Sequence, residues 1–309
     1  MKYLTITLAF LALVVGLTSC GGGGQQQKKE GPVQIVATTT MITDLLENIG
    51  EDKVDVNGMM GPGVDPHLYK ASESDASALY NAEMIFYNGL YLEGKLVDIF
   101  EKMKQQGKNI TAVADTLDRD VLIPSAEYES HYDPHIWFNI SHWKSVTAFV
   151  AEKLSSYDPE NRDFYHRNKR EYLKKLDTLS KKVDSMIAQI PKEQRILITA
   201  HDAFNYFGQA YDFEVLGLQG ISTASEAGVQ DVQRLSDVIV ENEIKAIFIE
   251  TSVPTRNIKA LQKSVQSKGF EVKIGGELYS DALGDPDTRE GTYVGMFLHN
   301  VKTITNALK

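Results

Sequence analysis

Cysteine is almost missing from this 309-residue chain: it has a single one, Cys20. An intrachain disulfide framework is therefore excluded. Positive charge is also short, with 32 basic against 42 acidic residues and a formal net charge of −10. An acidic chain without a basic stripe is a poor binder of nucleic acid. The apolar stretch Leu4 to Leu17 falls short of the roughly 20 residues that a membrane-spanning helix needs. The His-Glu-x-x-His signature of many zinc hydrolases does not occur either.

What is present begins with a leader. Met1-Lys2-Tyr3 is a short basic start, and Leu4 to Leu17 is almost wholly apolar. Such a segment reads as a secretory signal. Leu17-Thr18-Ser19-Cys20 resembles a bacterial lipobox, which implies cleavage after residue 19 and lipid attachment to the Cys20 sulfur. The alternative is an ordinary signal peptide with a chance cysteine. Residues 20–31 then form a flexible tether, rich in glycine and glutamine, that cannot bury apolar surface and spans roughly 20 Å as a coil. Lys28 and Lys29 read as solvated tether, with contact to anionic headgroups as the alternative. The remaining chain, about 280 residues, is long enough for two domains.

Strands alternate with helices along this remainder. Apolar runs at 33–39, 54–60, 84–87 and 110–113 read as strands. Helical spacing covers 41–49, 72–81 and 94–105, and Ser141 is a plausible cap for a helix that follows. The order recurs later. Strands are expected at 195–199, 214–217, 246–249 and 271–274, and helices at 203–210, 229–241, 257–267 and 291–308. This alternation implies α/β architecture with parallel sheets. Between the halves, Tyr172, Leu176, Leu179, Val183, Met186 and Ile190 share one helical face. Asp158-Pro159 starts and Pro191 stops one long helix of about 48 Å. The expected fold is two parallel-sheet α/β lobes, 32–157 and 192–309, joined by a bridging helix at 158–191.

Four residues in separate turn-like motifs carry the chemistry. They are His67 in Asp65-Pro66-His67-Leu68-Tyr69, His135 in Asp133-Pro134-His135-Ile136-Trp137, His201 before Asp202-Ala203-Phe204, and Asp281 in Ser280-Asp281-Ala282-Leu283-Gly284. Three imidazoles and a carboxylate form a complete ligand set for a divalent transition metal. Proline stiffens the two Asp-Pro-His turns, so less entropy is lost on binding. His67, His201 and Asp281 each follow an expected strand closely, and His135 ends the loop 114–134. Ligands of parallel sheets gather at the carboxyl ends of strands, so two residues from each half would meet in the cleft between lobes. Glu250, at the end of the Ile247 strand, reads as a group that orients a ligating imidazole or caps the next helix. Asp202 could orient an imidazole in the same way. Asp65 and Asp133 read as turn caps before proline, with metal ligands as the alternative. His131 reads as a solvated residue, with an auxiliary metal ligand as the alternative. His142, His166 and His299 read as ordinary surface residues on helices.

Taken together, these motifs, with Ala203-Phe204-Asn205-Tyr206-Phe207 and Ile247-Phe248-Ile249-Glu250-Thr251, resemble the TroA-like solute-binding proteins of bacterial ABC importers for zinc and manganese. The resemblance covers essentially the whole mature chain. It implies two α/β lobes on a rigid helix, ligands at His67, His135, His201 and Asp281, and delivery of the ion to a membrane permease without chemical change. Two departures stand out. Zinc-dedicated members often carry a long histidine-rich loop between the first two ligands, and here that loop contains only His131. Manganese-dedicated members often have glutamate where this chain has His201. Three imidazoles favour Zn²⁺ over Mn²⁺, with Fe²⁺ also open. The reading is a membrane-anchored, extracytoplasmic, monomeric receptor. Its capture of metal weakens as pH falls, and release follows a shift of the lobe carrying His201 and Asp281. The rival is a secreted zinc hydrolase with three protein ligands, a water, and Glu250 as general base. A surface adhesin is a further, secondary role.

Overall fold

The computed structural model describes residues 31–125 and 131–309. The leader, Cys20 and the expected tether up to residue 30 lie outside them. In the first half, strands β1 (Val33–Ala37), β2 (Val54–Gly58), β3 (Met84–Tyr87) and β4 (Ile110–Ala112) form a parallel sheet in the order β2-β1-β3-β4. Helices α1 (Thr40–Gly50), α2 (Glu73–Asn81) and α3 (Val97–Gln105) connect the strands. Ser72 caps α2 with a reciprocal Ser–Asp75 capping box.

Helix α4 (Ile140–Tyr157) follows the loop after β4. Its cap is Asn139, whose side chain accepts from the Ser141 and His142 amides. The cap thus sits two residues before the serine expected from the sequence. A one-turn 3-10 segment, Pro159–Asn161, precedes the long helix α5 (Arg162–Ile187). At 26 residues, α5 measures about 39 Å. It is shorter than the expected span because its first and last turns are not α-helical. Its buried face runs through Tyr165, Asn168, Tyr172, Leu176, Leu179, Val183 and Ile187. Met186 is only half-buried, because the helix places Ile187 on the core side instead.

In the second half, β5 (Ile196–His201) pairs in parallel with β6 (Glu214–Gln219), and β7 (Ala246–Glu250) with β8 (Lys273–Leu278). Strand β5 lies beside β7. Helices α6 (Asn205–Tyr211), α7 (Val229–Glu241), α8 (Arg256–Ser267) and α9 (Tyr293–Leu308) flank these strands. Strand β8 begins later and ends later than its apolar run suggests. Gly275-Gly276 lie beyond the expected strand end at 274, yet β8 runs through them with a register shift opposite Ile247/Phe248 and Gly276 at φ 145. The two lobes are not isolated. One apolar cluster includes Ile35 and Leu45 of the first lobe, Leu176 and Val183 of α5, and Phe204 and Phe297 of the second. Among the described residues no helix is long and apolar enough to cross a membrane.

Candidate metal site

Each motif positions its side chain through local hydrogen bonds. Gly63, in the left-handed region at φ 69, turns the chain ahead of the first Asp-Pro-His. The Asp65 carboxylate accepts from the His67 amide at 2.9 Å, as a turn cap does. Asp133 repeats this with the His135 amide at 2.9 Å. It also lies 2.7 Å from His135 Nδ1, a contact that its capping role did not suggest. His201 is the last residue of β5, and Glu250 the last of β7. Glu250 accepts from the His201 amide at 3.0 Å and lies 2.6 Å from His201 Nδ1. A carboxylate on Nδ1 fixes the proton there and leaves Nε2 as a donor of electrons. Asp281 follows β8, and Ser252 Oγ donates to its Oδ2 at 3.0 Å.

The four side chains converge. One ligand atom from each of His67, His135, His201 and Asp281 lies within 4.8 Å of every other, and all four residues are buried. His67 Nε2 and His135 Nε2 are 3.3 Å apart. His135 Nε2 lies 3.4 Å from Asp281 Oδ1, and His201 Nε2 lies 3.4 Å from Asp281 Oδ2. A tetrahedral ion with bonds of about 2.0–2.1 Å sets its ligand atoms roughly 3.3–3.4 Å apart. The group is therefore able to hold a metal ion. His201 Nε2 and Asp281 Oδ1 are buried and have no hydrogen-bond partner among the described residues. Buried polar atoms without a partner are rare, and a metal is one of their explanations.

The electrostatics are polarised. Burial drives His67 down to about 3, so its imidazole is neutral and ready to ligate. Burial would also lower His201, but the carboxylates of Glu250 and Asp281 outweigh it and hold the imidazole well above its ordinary value. At His135 burial is likewise outweighed, here by Asp133 and then Asp281. Burial would raise Asp281, but His201, His135 and His67 hold it well below the usual carboxylate range. Without an ion, the site thus keeps protons on imidazoles that a metal must displace.

The other candidates separate clearly. His131 packs against the Tyr91 ring, with centroids 4.4 Å apart, and is not in the four-residue group. Asp202 accepts from the Gly217 amide. His166 pairs with Glu152 and His299 with Glu290. His142 is buried, contrary to the surface reading, and stands edge-on to Tyr206 at 5.2 Å. Sequence reasoning missed the contacts between the halves. Thr223 Oγ1 donates to Asp65 Oδ2 at 2.6 Å, and Trp137 Nε1 donates to the Ser280 carbonyl at 2.9 Å. The Trp137 contact had a signal, since the residue lies two places after His135 in its motif. The hydroxyls of Thr223 and Ser252 had none.

Two parallel α/β lobes on a long helix, with a buried three-histidine, one-aspartate group between them, define a bilobal receptor for a metal ion. The family model described as zinc-uptake complex component A, periplasmic, matches residues 35–307. The chain belongs to this ZnuA family, whose members serve ABC importers as substrate-binding receptors rather than as enzymes. It is 46% identical to the manganese-binding lipoprotein MntA of Bacillus subtilis (strain 168) over 301 residues, which is 97% of this chain and 98% of the relative. It is 44% identical to the zinc-binding protein TroA of Treponema pallidum (strain Nichols) over 299 residues, 96% of each. The solved structure of the periplasmic zinc-binding TroA of Treponema pallidum superposes with a TM-score of 0.87, covering 90% of this chain and 99% of that one.

Proposed function

We propose that this chain is a lipid-anchored extracytoplasmic receptor that captures Zn²⁺ through His67, His135, His201 and Asp281 and hands it to an ABC permease. The observation that carries this reading is the convergence of four buried side chains, with one ligand atom from each within 4.8 Å of every other, a donor set of the size that a four-coordinate ion needs. Three imidazoles and one carboxylate suit Zn²⁺, whereas Mn²⁺ binds nitrogen weakly and prefers more oxygen. Glu250 acts by orienting His201. The fourth protein donor, Asp281, takes the position that a catalytic water needs, so transport fits the site better than hydrolysis.

Manganese is the second reading, favoured by the relative named as a manganese-binding lipoprotein. That name and the lipobox-like Leu17-Thr18-Ser19-Cys20 support anchoring through Cys20, with the body acting as a monomer. The lobes 32–157 and 192–309 act as the two jaws and the segment 158–191 as their brace. The apolar core shared across them favours a small displacement on release, because close-packed interiors resist continuous deformation. Moving one donor by about 1 Å is enough to spoil the coordination sphere.

Equilibrium dialysis of metal-stripped protein against equal free Zn²⁺ and Mn²⁺ tests the choice of ion. Zinc retained almost alone is the expected result, and manganese retained in comparable amount would replace zinc receptor with broad-range receptor. Anchoring is tested in cells: Cys20→Ala should abolish lipid labelling and release the protein from the membrane fraction.

A further inference from the structure

The two Asp-Pro-His motifs share more than a turn. Each aspartate gives one carboxylate oxygen to its own histidine and the other to a donor from the second lobe. Asp65 Oδ1 accepts from the His67 amide at 2.9 Å, and Asp65 Oδ2 accepts from Thr223 Oγ1 at 2.6 Å. Asp133 Oδ1 accepts from the His135 amide at 2.9 Å and lies 2.7 Å from His135 Nδ1. Asp133 Oδ2 accepts from Asn205 Nδ2 at 3.0 Å. Thr223 stands in the loop between β6 and α7, and Asn205 opens α6, just after His201. The next residue, Tyr206, donates its hydroxyl to the Asp133 carbonyl at 2.9 Å. Thr223 and Asp133 are buried, and a hydrogen bond to a carboxylate is roughly twice as strong as a neutral one.

We propose that Thr223 and Asn205 are positioning residues, which tie the orientation of His67 and His135 to the place of the second lobe. The inference rests on the receptor reading above and concerns how that same site lets its ion go. Neither residue belongs to the group of four ligands; each acts through an aspartate. The two clasps hold different things. Asp65 holds the His67 backbone, whereas Asp133 holds both the backbone and the ring of His135. With the lobes together, both first-lobe imidazoles stand ready, which limits the entropy lost on binding. A hydrogen bond keeps its strength only to roughly 3.2 Å between heavy atoms. A lobe shift of about 1 Å, enough to spoil the coordination sphere, therefore breaks both clasps as well. His201 and Asp281 move away directly, while His67 and His135 lose the contacts that orient them. All four donors slacken in one step, and release needs no separate trigger at the first lobe.

The test uses the mature chain and its Thr223→Val, Thr223→Ser, Asn205→Ala and Asp65→Ala variants, with Thr223→Val also placed on the Asp65→Ala background. Each is loaded with Zn²⁺ and mixed rapidly with excess chelator to give the rate of zinc loss. Thermal unfolding of the metal-free chains gives their stability. Thr223→Val and Asn205→Ala should each speed zinc loss by about tenfold, the scale of one hydrogen bond to a charged group. Thr223→Ser, which keeps the hydroxyl, should lose zinc at the wild-type rate. On the Asp65→Ala background Thr223→Val should add nothing, because the threonine acts through that carboxylate. If the two donors merely satisfied acceptors in the fold, their loss would lower the melting temperature and leave the rate of zinc loss unchanged. That result, or effects of Thr223→Val and Asp65→Ala that simply add, overturns this inference alone. A wild-type chain that retained no zinc would overturn the receptor reading itself.

Discussion

Replacing Glu250 by glutamine tests whether the site depends on an oriented imidazole. The glutamate offers two acceptors to His201, one to its amide at 3.0 Å and one to Nδ1 at 2.6 Å. Glutamine offers one acceptor and one donor in the same space. If its NH₂ group faces the amide, a buried N–H loses its partner, at a cost of about 1–3 kcal/mol. If it faces Nδ1, that nitrogen must become the acceptor. The ring proton then moves to Nε2, the atom aimed at the ion, and His201 cannot ligate. Either outcome weakens binding. Loss of such an orienting contact costs metal affinity about 10–100-fold, or roughly 1.4–2.7 kcal/mol. Chelator competition with Zn²⁺ measures the loss, and Co²⁺ absorption shows whether the ligand set has changed. A Glu250→Gln chain with zinc affinity within twofold of wild type would refute the argument.

Further outcomes follow from the charges. His201 and His135 are held above their ordinary values and must give up protons to a metal. Binding should therefore release protons and tighten as pH rises. Calorimetry in buffers of different ionisation enthalpy checks this, and a buffer-independent heat would contradict it. Away from the ligands, Asp44 of α1 lies between Tyr172 of α5 and Tyr293 of α9, accepting from the Tyr172 hydroxyl and the Tyr293 amide. Burial raises it from 3.8 to about 6. The folded state thus holds this proton more tightly than the unfolded state. The stability it contributes is present below about pH 4 and lost as pH rises through 6, about 3 kcal/mol in all. Urea unfolding of metal-free wild type and Asp44→Asn from pH 4.5 to 7.5 should show most of that slope in the wild type only. Parallel slopes would contradict it.

Much of this architecture was legible because its signals are local. The alternation of β-branched runs with amphipathic helices identifies the parallel lobes, and the period of Tyr172, Leu176, Leu179 and Val183 identifies α5. The repeated Asp-Pro-His turns drew attention to His67 and His135, which the structure brings within 3.3 Å of each other. What failed was where local rules compete with packing. Gly275 and Gly276 lie past the expected strand end yet sit in β8 as an irregularity. Asn139 outcompeted Ser141 as a cap, and His142 was buried by Tyr206, from a helix in the other half of the chain. The contacts that tune the site were the least legible. Ser252 and Asp281 are 29 residues apart, and Thr223 and Asp65 are 158 apart. Such hydroxyls carry no motif of their own, because only the folded chain decides which acceptor they meet.

The central claim is that four buried side chains form one site for one divalent ion. Calorimetric titration of metal-stripped mature chain with Zn²⁺, beside His201→Ala and Asp281→Ala, tests it most directly. One tight equivalent in the wild type, weakened sharply in both variants, is the result expected. No tight equivalent in the wild type, or full affinity in either variant, would contradict it.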